Sequence, residues 1–210
     1  MTLRIAVIGA GIMGSDHARI IAGDLPGATL QVVCDASETR ARAVAAEFGG
    51  DVATDPLAAI GRADVDAVLI ASPDDTHADL TIAAVRAGKP VLCDKPLAPN
   101  SADCLKVIEA EMQAGKRLIQ IGFMRRFDPS YQDMKVALAA GRIGRALVFH
   151  CFHRNVSAPA SFTGQMAISN SARMNSMWRV SCSTRTTSRS RCFDRGSSMR
   201  TRSARQCPWC

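Results

Sequence analysis

Short apolar runs alternate with helix-like stretches through the first 120 residues. Strand-like runs cover residues 3–8, 30–34, 66–71, 90–93 and 118–123. Helix-like stretches lie between them at 12–22, 38–48, 78–87 and 101–114. Ser101 is the expected N-cap of the last helix and Gly115 its expected C-cap. This alternation is typical of an α/β fold in which helices cover a doubly wound parallel sheet.

The pattern changes after Tyr131. A helix-like stretch over 130–140 leads into the apolar run 146–153, which predicts the first strand of a different sheet. From Arg173 onward neither helical nor strand periodicity remains. We therefore expect three regions: a doubly wound domain over 1–120, the truncated start of an α+β domain over 121–172, and a disordered tail over 173–210.

Positive charge is concentrated in the tail. Residues 173–210 contain nine arginines and one acid, Asp194, which gives +8 against +7 for the whole chain. The preceding residues therefore carry −1, and this balance argues against a nucleic-acid partner for the folded part. No apolar run approaches the ~20 residues of a membrane helix, and no signal-peptide cleavage pattern follows the first strand. The expectation is a cytoplasmic protein with neither a nucleic-acid nor a membrane partner.

The turn after the first strand carries the pattern G-x-G-x-x-G, as Gly9-Ala10-Gly11-Ile12-Met13-Gly14. The pattern has weight here because it follows a strand and opens a helix. Gly9 permits the tight turn, Gly11 lets the backbone approach a pyrophosphate, and Gly14 lets the helix pack close to the strand. The helix N-terminus at Ile12 and Met13 supplies unpaired N–H groups to the phosphates. These features predict a Rossmann domain that binds a dinucleotide.

An acidic residue follows at the distance expected for ribose recognition. Asp35 comes 21 residues after Gly14, at the end of the second strand. A carboxylate there accepts hydrogen bonds from the adenosine ribose hydroxyls and repels a 2′-phosphate, so NAD is predicted as the cofactor in preference to NADP. Arg40 lies one turn away and weakens this preference.

Two further motifs follow the third and fourth strands. They read Ser72-Pro73-Asp74-Asp75-Thr76-His77 and Gly88-Lys89-Pro90-Val91-Leu92-Cys93-Asp94-Lys95-Pro96. With the glycine motif they resemble the family named for glucose–fructose oxidoreductase, inositol dehydrogenase and the rhizopine-catabolism protein MocA (Gfo/Idh/MocA), over residues 1–172. The family's usual acid before Lys-Pro is glutamate, and Asp94 is one carbon shorter. Residues 122–131 and 153–155 look like the inositol 2-dehydrogenase branch.

The resemblance implies roles for the second and third motifs. Lys95 would lie between the nicotinamide ribose and the substrate and orient both, with Ser72, His77 and Pro96 on the cofactor side. A lysine after a strand's carboxyl end projects into the crevice where such sheets bind ligands. For His77, a helix-start or packing role is an equally good alternative.

Further implied roles lie in the second region. Asn155 would donate to or accept from a substrate hydroxyl, and Arg125 would line the substrate site, although Arg125 and Arg126 also fit a solvated basic pair. The resemblance also implies that the full-length form is a homo-oligomer, a tetramer, which acts on a polyol or sugar.

The family's catalytic pair is missing from its expected place. The resemblance implies an Asp and, four residues later, a His that takes the hydroxyl proton as hydride leaves. In this chain Asn170 stands in the position of the Asp, which supports the histidine. Met174, which cannot accept a proton, stands in the position of the His. Read one base out of frame, the codons of residues 173–180 permit His-Glu-Phe-Asp-Val-Ala-Arg, the family's string around its histidine. We infer a single-base loss near codons 172–173, after which the tail is translated in the wrong frame.

The expected function of the lineage is NAD-dependent oxidation of a secondary hydroxyl on a cyclic polyol or sugar, with inositol the leading substrate. Two alternatives stay open. The first is an inactive NAD-binding fragment, which describes the literal chain, meaning the 210-residue polypeptide as printed. The second is another sugar dehydrogenase of the same family. An RNA-binding arginine-rich tail would share the tail's composition. The pair of cysteines in Cys207-Pro208-Trp209-Cys210 has the spacing of a redox or zinc motif. A redox site needs a strand–helix setting and a zinc site needs two further ligands, and the sequence shows neither.

Resequencing of the encoding DNA across codons 165–185 tests the frameshift. We expect one missing base whose restoration gives His-Glu-Phe-Asp after codon 172. If the DNA sequence is unchanged, the gene encodes this chain as printed, and the protein has no proton acceptor.

Overall fold

A computed structural model, in which residues 2–144 and 147 are described, contains a six-stranded parallel sheet. Its strands are β1 (Leu3–Ile8), β2 (Ala28–Cys34), β3 (Asp51–Ala53), β4 (Ala67–Ile70), β5 (Val91–Cys93) and β6 (Ile119–Ile121). They are ordered β3-β2-β1-β4-β5-β6, and all neighbouring pairs are parallel. The order reverses between β1 and β4, which is where doubly wound sheets open a ligand crevice. The predicted Rossmann fold is confirmed.

Six helices belong to the described part of the chain. They are α1 (Ile12–Gly23), α2 (Glu38–Phe48), α3 (Pro56–Gly61), α4 (His77–Arg86), α5 (Ser101–Ala114) and α6 (Pro129–Ala139). Short 3₁₀ helices cover Asp74–Thr76 and Met124–Arg126. Among residues 2–144, none of these helices has the length and apolar character needed to cross a membrane.

The core lies on both faces of the sheet because strand side chains alternate in direction. Val7 and Val33 pack with α1 and α2 on one face, whereas Ile8 and Ile70 pack with α3 and α4 on the other. All four residues of β4 are buried. Burial on two faces explains why the strands read as continuous apolar runs. Each fully buried branched side chain stabilises the fold by about 1.5–3 kcal/mol.

The sequence pattern missed β3 and α3. A three-residue strand and a six-residue helix are too short to show a period of 2 or 3.6. The local start signal was nevertheless present, because the Asp55 carboxylate accepts the N–H groups of Leu57 and Ala58 at 2.9 and 3.1 Å and Pro56 occupies the first turn.

The N-cap predicted for α5 was wrong by one residue. Asn100, not Ser101, is the cap, and its Oδ1 accepts the N–H of Asp103 at 2.9 Å. The predicted C-cap is confirmed: Gly115 has φ +68°, the left-handed conformation that glycine adopts without a steric cost.

The chain divides into two compact units after Phe123. The first unit holds the sheet and α1–α5. The described part of the second unit holds the 3₁₀ helix Met124–Arg126 and α6, whose cap Asp128 accepts the N–H of Ser130 at 2.9 Å. The helix predicted over 130–140 is therefore confirmed. The strand predicted at 146–153 and the tail predicted over 173–210 lie outside the described residues.

The cysteines of the first unit are not joined by disulfides. Cys34 and Cys93 are buried and Cys104 is half-buried, and none of these three described residues forms a disulfide. Burial, assisted by the neighbouring Asp35 carboxylate, raises the pKa of Cys34 to about 11. Burial likewise raises the pKa of Cys93 to about 12. Both are packing residues without thiolate reactivity at neutral pH.

Candidate functional site

The first unit brings most of the predicted site residues to one edge of the sheet. The Gly9–Gly14 turn follows β1, Asp35 follows β2, Ser72 follows β4, and Lys95 with Pro96 follows β5. Carboxyl ends of parallel strands meet at one edge, and at the reversal point they leave a crevice that ligands enter. The residues therefore meet because of strand order and not because of proximity in sequence.

Two glycines of the turn are required by the protein's own packing. Gly9 has φ +101°, and a Cβ there would lie 2.6 Å from the backbone carbonyl of Ala71. A Cβ on Gly14 would lie 1.7 Å from the carbonyl oxygen of Gly9. The turn and the start of α1 thus pack at distances that only glycine allows, as the sequence predicted for these two positions.

Gly11 has no such requirement. Its φ is −76°, which any residue adopts, and a Cβ there would have no atom within 4 Å. It is the N-cap of α1, without a side-chain hydrogen bond, and the following Ile12 is 90% exposed. The absence of a side chain at Gly11 therefore leaves open space in front of the N-terminus of α1. That geometry fits an approaching phosphate, which unpaired N–H groups and the helix dipole both attract.

Asp35 is already engaged by the protein. It is 8% exposed, and its Oδ2 accepts the N–H of Ala10, in the glycine turn, at 2.8 Å. Its Oδ1 accepts the N–H of Ser37 at 2.8 Å and the Arg40 guanidinium at 2.8 and 3.2 Å. Burial would raise the pKa of Asp35, but the hydrogen bonds from Arg40, Ser37 and Ala10 outweigh burial and lower it. The carboxylate is therefore ionised at neutral pH.

The sequence did not reveal the bond between Asp35 and Ala10. Their separation of 25 residues gives no local signal, and only the pairing of β1 with β2 brings them together. The sequence placed Arg40 one turn away from Asp35 but did not predict their ion pair. The Arg40 side chain is 62% exposed, and its guanidinium lies 2.8 Å from the carboxylate.

Lys95 has no side-chain partner in the part of the chain that the structure describes. Its side chain is half-buried, and within residues 2–144 the ammonium makes neither a hydrogen bond nor an ion pair. Its neighbour Asp94 has Oδ1 3.7 Å from His17 Nε2, and the same oxygen lies 3.0 Å from where a Cβ on Gly122 would be. A partly desolvated lysine with free donors at the crevice can bind a hydroxyl or ribose oxygen.

His77 lies buried between two loops, and its cofactor-side role stays a prediction. The residue is 1% exposed and is the first residue of α4. Its Nδ1 lies 2.6 Å from the carbonyl oxygen of Pro96, and its Nε2 lies 2.8 Å from that of Ser72. Both ring nitrogens thus contact the backbone of the loops after β4 and β5. The Ser72 hydroxyl hydrogen bonds to the Thr76 hydroxyl at 2.6 Å.

Two predicted substrate-side residues and one predicted catalytic residue are not part of the first unit. Arg125 lies in the second unit, where its guanidinium stacks 4.9 Å above the Tyr131 ring and donates to the Tyr131 hydroxyl. Asn155 and Asn170 lie outside the described residues. Within the described part of the chain, no group of three His, Cys, Asp or Glu side chains is placed to hold a metal ion.

Replacing Gly11 with alanine separates cofactor binding from folding. We expect Gly11→Ala to keep the free energy of unfolding within about 0.5 kcal/mol of the parent, because its Cβ meets open space. NADH affinity should fall by about tenfold or more, since the methyl group occupies the phosphate's approach. Gly14→Ala is the matched control and should lose at least about 3 kcal/mol. Urea unfolding and NADH fluorescence titration measure both; unchanged NADH affinity in Gly11→Ala would contradict the phosphate assignment.

Comparison with known proteins agrees with this geometry. The family described as "Oxidoreductase family, NAD-binding Rossmann fold" matches residues 3–123. Inositol 2-dehydrogenase 1 of Saccharopolyspora erythraea is 53% identical over 174 residues, 82% of this chain and 52% of that protein. Inositol 2-dehydrogenase of Streptomyces avermitilis is 48% identical over 170 residues, 80% of this chain and 50% of that protein.

A solved structure extends the comparison. Myo-inositol dehydrogenase from Lactobacillus casei, in complex with NAD(H) and myo-inositol, superposes with a TM-score of 0.77 at 30% identity, over 81% of this chain and 51% of that one. The chain spans about half the length of the curated relatives it matches. By these matches the chain belongs to the Gfo/Idh/MocA oxidoreductase family, with the family's NAD-binding Rossmann domain over residues 3–123.

Proposed function

We propose that the first unit binds NAD, with the pyrophosphate at the Gly9–Gly14 turn and the adenosine ribose at Asp35. The observation that carries this proposal is the open space at Gly11, which no packing requirement of the protein explains. Ile12 and Met13 contribute backbone N–H groups at the start of α1, and Ser72 and Pro96 border the nicotinamide side. The bound NAD of the Lactobacillus casei relative supports the same cofactor.

We further propose a preference for NAD over NADP. The Asp35 carboxylate is ionised and held by Ala10, so it presents negative charge where a 2′-phosphate would sit. Arg40, the nearby cation that would attract that phosphate, is bonded to the same carboxylate. Oδ2, with one protein donor, keeps a lone pair for a ribose hydroxyl.

The full-length protein of this lineage is, in our proposal, an inositol 2-dehydrogenase type of enzyme that acts on a secondary hydroxyl of a cyclic polyol or sugar. NAD supplies the hydride acceptor. The Lys95 ammonium donates to the substrate oxygen and to the nicotinamide ribose, which fixes their mutual orientation. Arg125 and Asn155 would contact further substrate hydroxyls. The inositol dehydrogenases among the relatives support this substrate class.

Proton transfer is the step this chain lacks. As hydride leaves carbon, the hydroxyl proton must pass to a base, and Asn170 and Met174 occupy the positions where the family resemblance implies the Asp and His. Asparagine supports orientation only, and methionine accepts no proton. We therefore propose that the literal chain binds NAD without turnover and that residues 173–210 are out of frame. The similarity to inositol 2-dehydrogenase 1 of Saccharopolyspora erythraea covers 82% of this chain, which leaves part of it unmatched.

We also propose that the full-length form is a cytoplasmic homo-oligomer, a tetramer, without a nucleic-acid or membrane partner. The proposal of a tetramer is based on the family resemblance. The net charge of −1 before residue 173 supports the absence of a nucleic-acid partner.

The activity proposal is tested by comparing the literal chain with the product of the frame-restored gene. We expect both to bind NADH, and only the restored protein to form NADH when myo-inositol, scyllo-inositol or glucose is offered with NAD. Lys95→Met in the restored protein should lower kcat/KM by about a hundredfold or more, since orientation of the hydroxyl is lost. Turnover by the literal chain, or none by the restored protein on any polyol or sugar, would contradict the proposal.

The cofactor preference is tested by Asp35→Asn. The amide oxygen still accepts the Ala10 N–H, but the negative charge is lost and Arg40 is released. We expect the ratio of NADPH to NADH affinity to rise by about tenfold, or ~1.4 kcal/mol. The control Asp35→Asn/Arg40→Ala should lose most of that gain. An unchanged ratio, measured by fluorescence titration, would mean that Asp35 does not read the ribose.

A further inference from the structure

The residues on either side of Lys95 are each contacted by a histidine from a different helix. On one side, Asp94 Oδ1 lies 3.7 Å from His17 Nε2, on α1. On the other side, the carbonyl oxygen of Pro96 lies 2.6 Å from His77 Nδ1, at the start of α4. The Lys95 ammonium itself makes no bond within residues 2–144. Its position therefore depends on how firmly its neighbours hold the backbone.

The His77 contact ties two loops together in the interior. Its ring is 1% exposed and lies between the carbonyl oxygens of Ser72 and Pro96, at 2.8 and 2.6 Å. Both partners are carbonyl acceptors, and a neutral imidazole donates a hydrogen bond to one of them at a time. Loss of the ring would leave the buried carbonyl oxygen of Pro96 without this contact, which is costly in the interior. The contact fixes the loop after β5 to the loop after β4.

The His17 contact ties the same segment to the helix that faces the phosphates. His17 comes three residues after Gly14 on α1. Its Nε2 is shielded from solvent and has no hydrogen-bond partner among the described residues. The Asp94 carboxylate is confined on its other side by Gly122, where a Cβ would approach to 3.0 Å. A separation of 3.7 Å exceeds a hydrogen bond, and one further carbon in the acid would bring the carboxylate closer to the ring.

We propose that His17, through Asp94, and His77, through Pro96, are positioning residues for Lys95. Together they fix its backbone from the phosphate-binding helix on one side and from α4 on the other. The inference rests on the proposed function, in which Lys95 contacts the nicotinamide ribose. It has a specific consequence: loss of either contact weakens binding of the nicotinamide half of NAD and spares the adenosine half.

A double-mutant cycle on the full chain tests the proposal, with NADH and ADP as probes. ADP lacks the nicotinamide ribose and so reports the glycine turn and Asp35 alone. We expect Lys95→Met, Asp94→Ala and His77→Gln each to weaken NADH binding about five- to tenfold and ADP binding less than about twofold. In the Lys95→Met background, Asp94→Ala and His77→Gln should have no further effect on NADH, because each acts through Lys95.

Two variants are matched to Asp94→Ala. Asp94→Glu retains the acid, reaches His17, and should bind NADH at least as tightly as the parent. Glu109→Ala removes an exposed acid on α5 and should leave both affinities unchanged. If His77→Gln fails to fold, Asp94→Ala carries the test, because the Asp94 side chain is 21% exposed and removing it leaves the core intact.

The outcomes distinguish the inference from the proposed function. Equal losses for NADH and ADP, or losses that add in the Lys95→Met background, would show a general structural role and overturn the inference. Wild-type chain that binds neither probe would contradict NAD binding itself. Lys95→Met with unchanged NADH affinity would contradict the role proposed for Lys95, and the inference with it.

Discussion

The site depends on the close packing of the glycine turn against the end of β4. Gly9 approaches the Ala71 carbonyl, and Gly14 approaches the Gly9 carbonyl, at distances that exclude any Cβ. This packing sets the direction of α1 and therefore aims its N-terminus at the crevice between β1 and β4. The same placement brings the Ala10 N–H to Asp35 and the His17 ring near Asp94. A side chain at Gly9 or Gly14 would displace all of these contacts together.

The Asp35 carboxylate is bonded into the structure at this edge and, in the proposed function, also recognises the ribose. Asp35 accepts from the glycine turn, from Ser37 and from Arg40, and these bonds keep it ionised despite burial. An ionised group that is almost fully buried is tolerated only when it is bonded in this way. The bonds also fix its oxygens, so little conformational freedom is lost when a ribose binds. Lys95 contrasts with it, since within residues 2–144 its ammonium makes no hydrogen bond or ion pair.

In the proposed function, cofactor binding and proton transfer belong to different parts of the chain. The Rossmann domain is complete in this chain, with its six strands, two-sided core and glycine turn, and it forms a compact unit that ends at Phe123. The residues that the family resemblance assigns to proton transfer come later, at Asn170 and Met174, where neither side chain can act as a base. In the proposed function, a sequence change after residue 172 removes the proton-transfer step and leaves the described contacts of the glycine turn and Asp35 as they are.

The sequence by itself determined the parts of the fold that depend on local signals. Apolar runs and glycine spacing predicted β1, β2 and β4, the turn at Gly9–Gly14, and the ends of the longer helices. The three-residue β3 and six-residue α3 were missed because elements so short show no period, and the cap at Asn100 was misplaced because neighbouring polar residues compete for it. Only the tertiary structure decided which side chains meet across elements. The contacts of Asp35 with Ala10, His17 with Asp94, and His77 with Pro96 join residues far apart in sequence, and they follow from strand order and from the directions in which side chains leave their helices.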